Sequence, residues 1–253
     1  MRPLVPPAPD PSWAYFFDID GTLSELAATP GRARLAPSLR DRLGALRARC
    51  GGAVAVVSGR ALRDIDVIFD GMLLPAAGQH GAERRDATGR IAQLPVERGC
   101  LDDAHAALTR LVARHPGLLL EDKGHSLALH YRAAPRAAGL AHRSMHALQR
   151  RLCKGFQVQS GKRLVELVPA GIDKGRAIRA FLQEPPFAGR LPVFLGDDVS
   201  DEPAFAAVDV LGGHSVKVGP GPSAARWRLA SVTAVSEWLS RPLPGEPATT
   251  EGE

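Results

Sequence analysis

Cysteine is scarce: only Cys50, Cys100 and Cys153 occur in 253 residues, far apart in the chain. Their odd number and the lack of any CxxC spacing argue against a disulfide framework and a structural zinc site, and a reducing cytoplasm is the expected compartment. No stretch approaches the roughly 18 consecutive apolar residues of a spanning helix. The opening MRPLVPPAPDPSW has prolines where an export signal needs an apolar segment. A soluble, unexported chain is expected, with no membrane partner. Lysine is rare too, since Lys123, Lys154, Lys162, Lys174 and Lys217 are the only lysines among 32 basic residues. The net charge of +5 therefore comes from arginines spread among acids along helix-like segments. They do not cluster with aromatics, which argues against nucleic acid as a partner. A mildly positive surface would at most speed encounter with a small anion.

A hydrophobic content of 45% is enough to bury one core or two modest ones. In the first 80 residues, strand-like WAYFFDI and GGAVAVVSG alternate with helix-like APSLRDRLGALRARC and ALRDIDVIF. The same βα grammar returns after Gly171, with DKGRAIRAFLQ and DEPAFAAV as helices and LPVFLGDD and HSVKVG as strands. The middle reads differently: two helices, LDDAHAALTRLVARH and RAAGLAHRSMHALQRRL, lie among the strand candidates HSLALHYRA, FQVQSG and RLVELVP. The expected fold is α/β, a core with a parallel sheet formed by residues 1–89 and 171–253, interrupted by an inserted α+β domain at 90–170. Segments before Ser12 and after Arg241 are Pro-rich or small and polar and are expected to be mobile. No internal repeat is evident.

Ligands of a parallel sheet gather outside the carboxyl ends of its strands, and this chain places polar clusters at those ends. Asp18 and Asp20 follow the first strand, Ser58-Gly59-Arg60 the second, and GDDVSD the strand LPVFL, while Lys174 opens a helix after the insertion. Two aspartates two residues apart leave a strand end on the same side, and like charges that close call for a cation. With Asp197, Asp198 and Asp201 they form an excess of hard oxygen donors, which favours Mg²⁺ over a softer metal. In GDDVSDEPAF a helix start accounts for Ser200 or Asp201 as a cap and Pro203 in the first turn, but not for acids at the end of an apolar strand. Ser58 and Gly59 suit a phosphate approaching a helix start. Lys174 lies in the first turn of a helix capped by Asp173, where the macrodipole disfavours a cation, so an anion nearby is expected.

In this order, DIDGT, the Ser of VVSGR, a Lys after an insertion and GDDVSD resemble the haloacid dehalogenase superfamily of phosphotransferases. That resemblance implies a Rossmann-like core, a nucleophilic Asp18, a general acid/base Asp20, and a cap inserted between the second and third motifs. The chemistry agrees: Asp18 attacks phosphorus in line, Mg²⁺ with Ser58 and Lys174 offsets phosphoryl charge, and Asp20 moves the proton.

Within the insertion, Glu121 and Lys123 share a face if EDKGHSLALHYR is extended, as do His130 and Arg132, while Glu166 shares one with Leu164 and Val168. Such groups suit hydroxyl-rich ligands, and a solvated sheet face accounts for them equally well. Through GQHG, EDKGHSLALHYR, GKRLVELVPAGIDKG and GDDVSDE the chain is similar to the trehalose-6-phosphate phosphatases. Ile19 stands where an aromatic is common, Ser200 where Thr is common, and Pro203 follows the acidic loop. This resemblance implies sugar contacts from Glu121, Lys123, Arg132 and Glu166, a GxHG loop bringing His80 and Gly81 beside the sugar, and a Mg²⁺-dependent phosphatase, expected as a monomer and coupled to a trehalose-6-phosphate synthase. Sucrose and mannosyl-phosphoglycerate phosphatases share the same core. A phospho-signalling module or a non-catalytic sugar-phosphate binder are further alternatives.

Overall fold

A computed structural model describes residues 5–25, 33–96 and 98–242. The remainder of the tails expected to be mobile, 1–4 and 243–253, lies outside these residues. Residues 5–11 do not hang free. The indole of Trp238 donates to the Pro7 carbonyl at 2.7 Å, and the Tyr15 hydroxyl bonds the backbone of Asp10. A proline-rich segment has few N–H donors of its own, so its carbonyls are met by side chains from the body of the protein.

Two sheets form. The larger has eight strands. Its centre is β1 (Trp13–Phe17) and β2 (Val54–Val57), joined through α1 (Pro37–Arg49). Both strands are apolar and buried almost throughout, as expected of a parallel sheet covered on both faces. In α1, Pro37 occupies the first turn, where no N–H is needed, and Leu39, Leu43 and Leu46 recur on its buried face. After α2 (Leu62–Ile68), the parallel strand β3 (Ala76–Gly78) leads into antiparallel β4 (Glu83–Arg85) and β5 (Ile91–Gln93). Ile91–Gln93 thus extends the larger sheet, beyond the expected boundary at residue 90. β3 to β5 are absent from the expected elements because each strand is only three residues long, too short for a period-2 signal.

The smaller sheet is antiparallel, in the order β6 (Leu119–Asp122), β7 (Leu127–His130), β9 (Leu164–Pro169) and β8 (Phe156–Gly161). Helices α3 (Arg98–Arg114) and α4 (Ala138–Arg151) supply Leu101, Ala104, Leu108, Ala141 and Met145 to a core shared with Leu127, Leu129, Val165 and Leu167. This core is separate from the large one under the eight-stranded sheet. The chain then re-enters the larger sheet through α5 (Lys174–Phe181), β10 (Leu191–Gly196), α6 (Glu202–Val210), β11 (His214–Val218), β12 (Trp227–Leu229) and α7 (Val232–Leu239). β10 pairs in parallel with β1, which brings residues 18 and 197 to the same edge. Among the described residues no helix is long and apolar enough to cross a membrane.

Candidate functional site

A cavity of about 450 Å³ opens where the carboxyl ends of β1, β2 and β10 face the smaller sheet. Asp18, Asp20, Ser58, Gly59, Lys174, Asp197 and Asp198 line one side, and Glu121, Lys123, His130, Arg132, Gln159 and Glu166 the other, with His80 between them. The volume falls in the usual range for small-molecule sites.

The floor is an ion cluster. Asp173 caps α5 by accepting from the Arg176 N–H at 2.8 Å, which fixes the first turn and with it Lys174. The Lys174 ammonium is 2% exposed and donates to Asp18 Oδ1 at 2.8 Å and Asp201 Oδ1 at 2.6 Å. Burial works against the ammonium, but these two carboxylates outweigh it and raise its pKa above the ordinary value, so it stays charged. The sequence expected an anion near this first-turn lysine, and two are found.

Asp201 is fully buried, and its other oxygen accepts the N–H groups of Asp197 and Asp198 at 2.8 and 2.9 Å. Asp198 and Asp201 cap the short turn Val199–Asp201 reciprocally, and because this turn runs directly into α6, Asp201 also stands at the N-cap position of α6, with its side chain bonded to the turn and not to that helix. With its oxygens spent on the loop and on Lys174, Asp201 lies behind the cavity wall.

Asp197 is buried, accepts from Lys162 through Oδ2, and leaves Oδ1 without a partner. Its carboxylate comes up against the Asp20–Gly21 backbone: Gly21 has φ +84°, and a Cβ there would lie 2.0 Å from Asp197 Oδ2. Glycine alone allows both the left-handed turn and this approach. Burial pushes the pKa of Asp18 well up, with Asp201 and Asp197 adding to it and Lys174 opposing. Asp197 is raised for the same first reason, against the pull of Lys162. Oxygens of Asp18, Asp197 and Asp201 all lie within 4.8 Å of one another. Hard oxygen donors, an unpartnered buried carboxylate oxygen and acids held above their ordinary pKa make a set that fits a small divalent cation such as Mg²⁺.

Asp20 is held differently. Arg60 donates from Nε and Nη2 to its two oxygens, each at 2.6 Å. Arg60 is a site residue to which the motifs assign no role; its position directly after Ser58-Gly59 at a strand end is the signal that marks it. Ser58 is buried, with its hydroxyl accepting the Arg60 N–H at 3.3 Å. The first N–H of α2, on Leu62, is taken by Glu83 Oε1 at 2.8 Å and is therefore not open to an anion.

On the smaller sheet, register decides which side chains meet. Glu121 pairs with Ala128, Ala128 with Glu166, and Glu166 with Gln159, so one row crosses all four strands. The next row on the same face is Leu119, His130, Leu164 and Gly161. Residues of both rows line the cavity, while Leu120, Leu129 and Val165 on the other face pack toward α3 and α4.

Glu166 is 2% exposed and accepts from Lys123 at 3.1 Å and Ser126 at 2.6 Å, with His80 Nε2 3.3 Å away. Although burial disfavours its carboxylate, Lys123, His80 and Ser126 hold its pKa below the ordinary range. The Glu121 carboxylate meets His130 at 2.7 Å and is also lowered, the hydrogen bond and Lys123 outweighing burial. Lys123 also donates to the Gly59 carbonyl at 3.1 Å, and Lys162 reaches Asp197, so two lysines of the smaller sheet's loops touch the strand ends of the larger one.

His80 and the preceding Gln79 both have positive φ, 60° and 47°, a conformation costly for non-glycine residues that brings the imidazole over Gly59. Gly81 completes the turn but faces Ala177 and Ile172 and does not line the cavity. Gln159, Lys162 and Ser126 join the site without a motif that marks them, although Lys162 lies in the GKR hairpin turn.

The family model for trehalose-phosphatase matches residues 16–233. A trehalose-6-phosphate phosphatase of Escherichia coli is 42% identical over 230 residues, covering 90% of this chain and 85% of its own length. In three dimensions the chain resembles the C-terminal domain of a C. albicans trehalose-6-phosphate phosphatase, with a TM-score of 0.81 at 22% identity over 89% of this chain and 90% of that one. It also resembles a haloacid dehalogenase-like hydrolase of Bacteroides thetaiotaomicron, with a TM-score of 0.65 at 15% identity over 89% and 97% of the two chains. The last two likenesses concern the fold, a haloacid dehalogenase-type α/β core. The extended match in sequence reaches further: this chain belongs to the trehalose-phosphatase family of phosphoric monoester hydrolases.

Proposed function

We propose that the chain hydrolyses trehalose 6-phosphate to trehalose and phosphate through an aspartyl-phosphate intermediate. The observation that carries this reading is the joint cavity, in which Asp18 and Lys174, backed by Asp201, face the row Glu121, Glu166 and Gln159. The segment that follows β5, up to residue 170, then acts as the inserted cap and the rest as the catalytic core.

Asp18, on the strand end, attacks phosphorus in line and the sugar oxygen leaves on the far side. Lys174 and the Ser58 hydroxyl offset charge on the phosphoryl oxygens. Asp20 gives a proton to the leaving oxygen, then takes one from the water that cleaves the aspartyl phosphate. Mg²⁺ would be held by Asp18 and Asp197, with Asp20, Asp198 and Asp201 around them, and when bound it neutralises charge on the phosphoryl group. Glu121, Lys123, Arg132, Glu166 and His80 bind the remote sugar, so that its binding energy aligns the ester and excludes water. Supply of the substrate by a trehalose-6-phosphate synthase and a cytoplasmic setting complete the reading.

The test is phosphate release from a panel of sugar phosphates, with Mg²⁺ or with chelator. Trehalose 6-phosphate is expected to exceed glucose 6-phosphate in kcat/KM by about tenfold or more, since one hydrogen bond to a charged group contributes roughly 1.5 to 3 kcal/mol. Equal rates on both would reduce the reading to an unspecific sugar-phosphate phosphatase, and preference for sucrose 6-phosphate or mannosyl-3-phosphoglycerate would replace the substrate.

A further inference from the structure

Arg60 extends from the loop after β2 to Asp20 on the loop after β1 and meets both carboxylate oxygens in a fork, each contact 2.6 Å long. The guanidinium is largely buried, with 13% of its side chain exposed against 31% for Asp20. Its own loop is anchored, since the Arg60 carbonyl accepts the Gln79 N–H at 2.8 Å and its N–H donates to Ser58 Oγ. A bidentate guanidinium fixes the plane of a carboxylate, not merely its charge. It uses one acceptor position on each oxygen and leaves the others for the cavity that Asp20 lines.

We propose that Arg60 is a positioning residue for the proton-transfer step, setting the orientation in which the Asp20 carboxyl meets the leaving oxygen. The inference rests on the reading of Asp20 as the proton carrier. In the first half-reaction the bond from phosphorus to the ester oxygen breaks, the bond from phosphorus to Asp18 forms, and the proton on Asp20 passes to the departing oxygen. In the second, water bonds to phosphorus, the bond to Asp18 breaks, and the water's proton returns to Asp20. One water is consumed and nothing is oxidised or reduced. Arg60 exchanges no atom; it holds the carboxylate in plane. Arginine suits this task where lysine would not, because an ammonium meets a carboxylate as a point charge and leaves its plane free to rotate.

A residue that acts by aiming a general acid matters most when the leaving group needs the proton. An alkoxide does; a nitrophenolate does not. The experiment therefore measures kcat/KM, which covers the steps through departure of the leaving group, for phenyl phosphates of graded leaving-group acidity and for a simple alkyl phosphate. Arg60→Ala, Arg60→Lys, Asp20→Asn and the double variant are compared with the wild type. General-acid catalysis contributes roughly 10² to 10⁴-fold, so Arg60→Ala is expected to lose about 10- to 100-fold on the alkyl ester, with a loss that shrinks steadily as the leaving group becomes more acidic. Arg60→Lys should fall between Arg60→Ala and wild type, and Arg60→Ala should add little in the Asp20→Asn background. Where Arg60→Ala fails to fold, Arg60→Lys carries the same comparison.

A uniform loss across the series would overturn the proposal and make Arg60 a phosphate-binding or structural residue. So would full activity of the variants. If Asp20→Asn shows the leaving-group dependence and Arg60→Ala does not, only the role of Arg60 fails. If Asp20→Asn lacks it too, the underlying reading of Asp20 fails with it.

Discussion

Lys174 Nζ lies 2.8 Å from Asp18 Oδ1 although 156 residues separate the two in the chain. The second acid on the same ammonium is Asp201, at 2.6 Å, so one cation ties the first strand end, the start of α5 and the acidic loop together. Removing one partner of a buried ion cluster leaves uncompensated charge. Lys174→Met should therefore abolish phosphate release and destabilise the fold by about 3 to 5 kcal/mol. Urea unfolding of the variant against wild type measures this, and an unchanged midpoint would mean that the cluster contributes nothing to the fold.

Asp18 and Asp20 differ in surroundings, and their variants should differ in kind. Asp18→Asn is expected to abolish both turnover and labelling of the protein by a phosphate ester, because an amide is a poor nucleophile. Asp20→Asn should keep substrate binding and lose roughly 10² to 10⁴-fold in rate. Rapid-quench measurement of the phosphoenzyme separates the two, and turnover of Asp18→Asn near the wild-type rate would remove Asp18 as the nucleophile.

Excess chelator should stop the reaction and Mg²⁺ restore it, with Ca²⁺ a poor substitute because it takes longer bonds and more ligands. Asp197, whose Oδ1 lacks a partner, should be the sensitive ligand. Isothermal titration with Mg²⁺ is expected to show weakened binding in Asp197→Asn, and affinity equal to wild type would place the metal elsewhere.

Glu166 should leave a signature in stability as well as in recognition. Its pKa in the folded protein is depressed below the ordinary 4.5 by Lys123, His80 and Ser126, despite burial. The stabilisation is fully present above that unfolded value and is lost as the pH falls toward the depressed folded one. The gap in unfolding free energy between wild type and Glu166→Gln should therefore be constant from pH 7 down to about 5 and narrow below it. A gap that widens in acid would reverse the assigned sign. On trehalose 6-phosphate the same variant, and Lys123→Ala, should each lose about tenfold or more in kcat/KM, against a much smaller loss on an aryl phosphate.

The strand ends and their acids were legible in the sequence because a parallel strand is a continuous apolar run, and the residues just past it are by construction on the ligand edge. WAYFF followed by DID, and LPVFLG followed by DD, carry that information within ten residues. The Asp173 cap on α5 is equally local, and the structure contains it. What only the tertiary structure decided is partnership across the chain. The choice of Arg60 for Asp20 depends on β1 lying beside β2. The row Glu121, Ala128, Glu166, Gln159 depends on the register of four strands, and a slip of one residue would have turned each acid toward α3 and α4. Gly81 sits in a motif that reads as part of the site, yet the left-handed turn at Gln79 and His80 aims only the imidazole inward. Local composition fixes which groups end a strand; long-range pairing, set by the burial of two separate cores, fixes which of those groups meet.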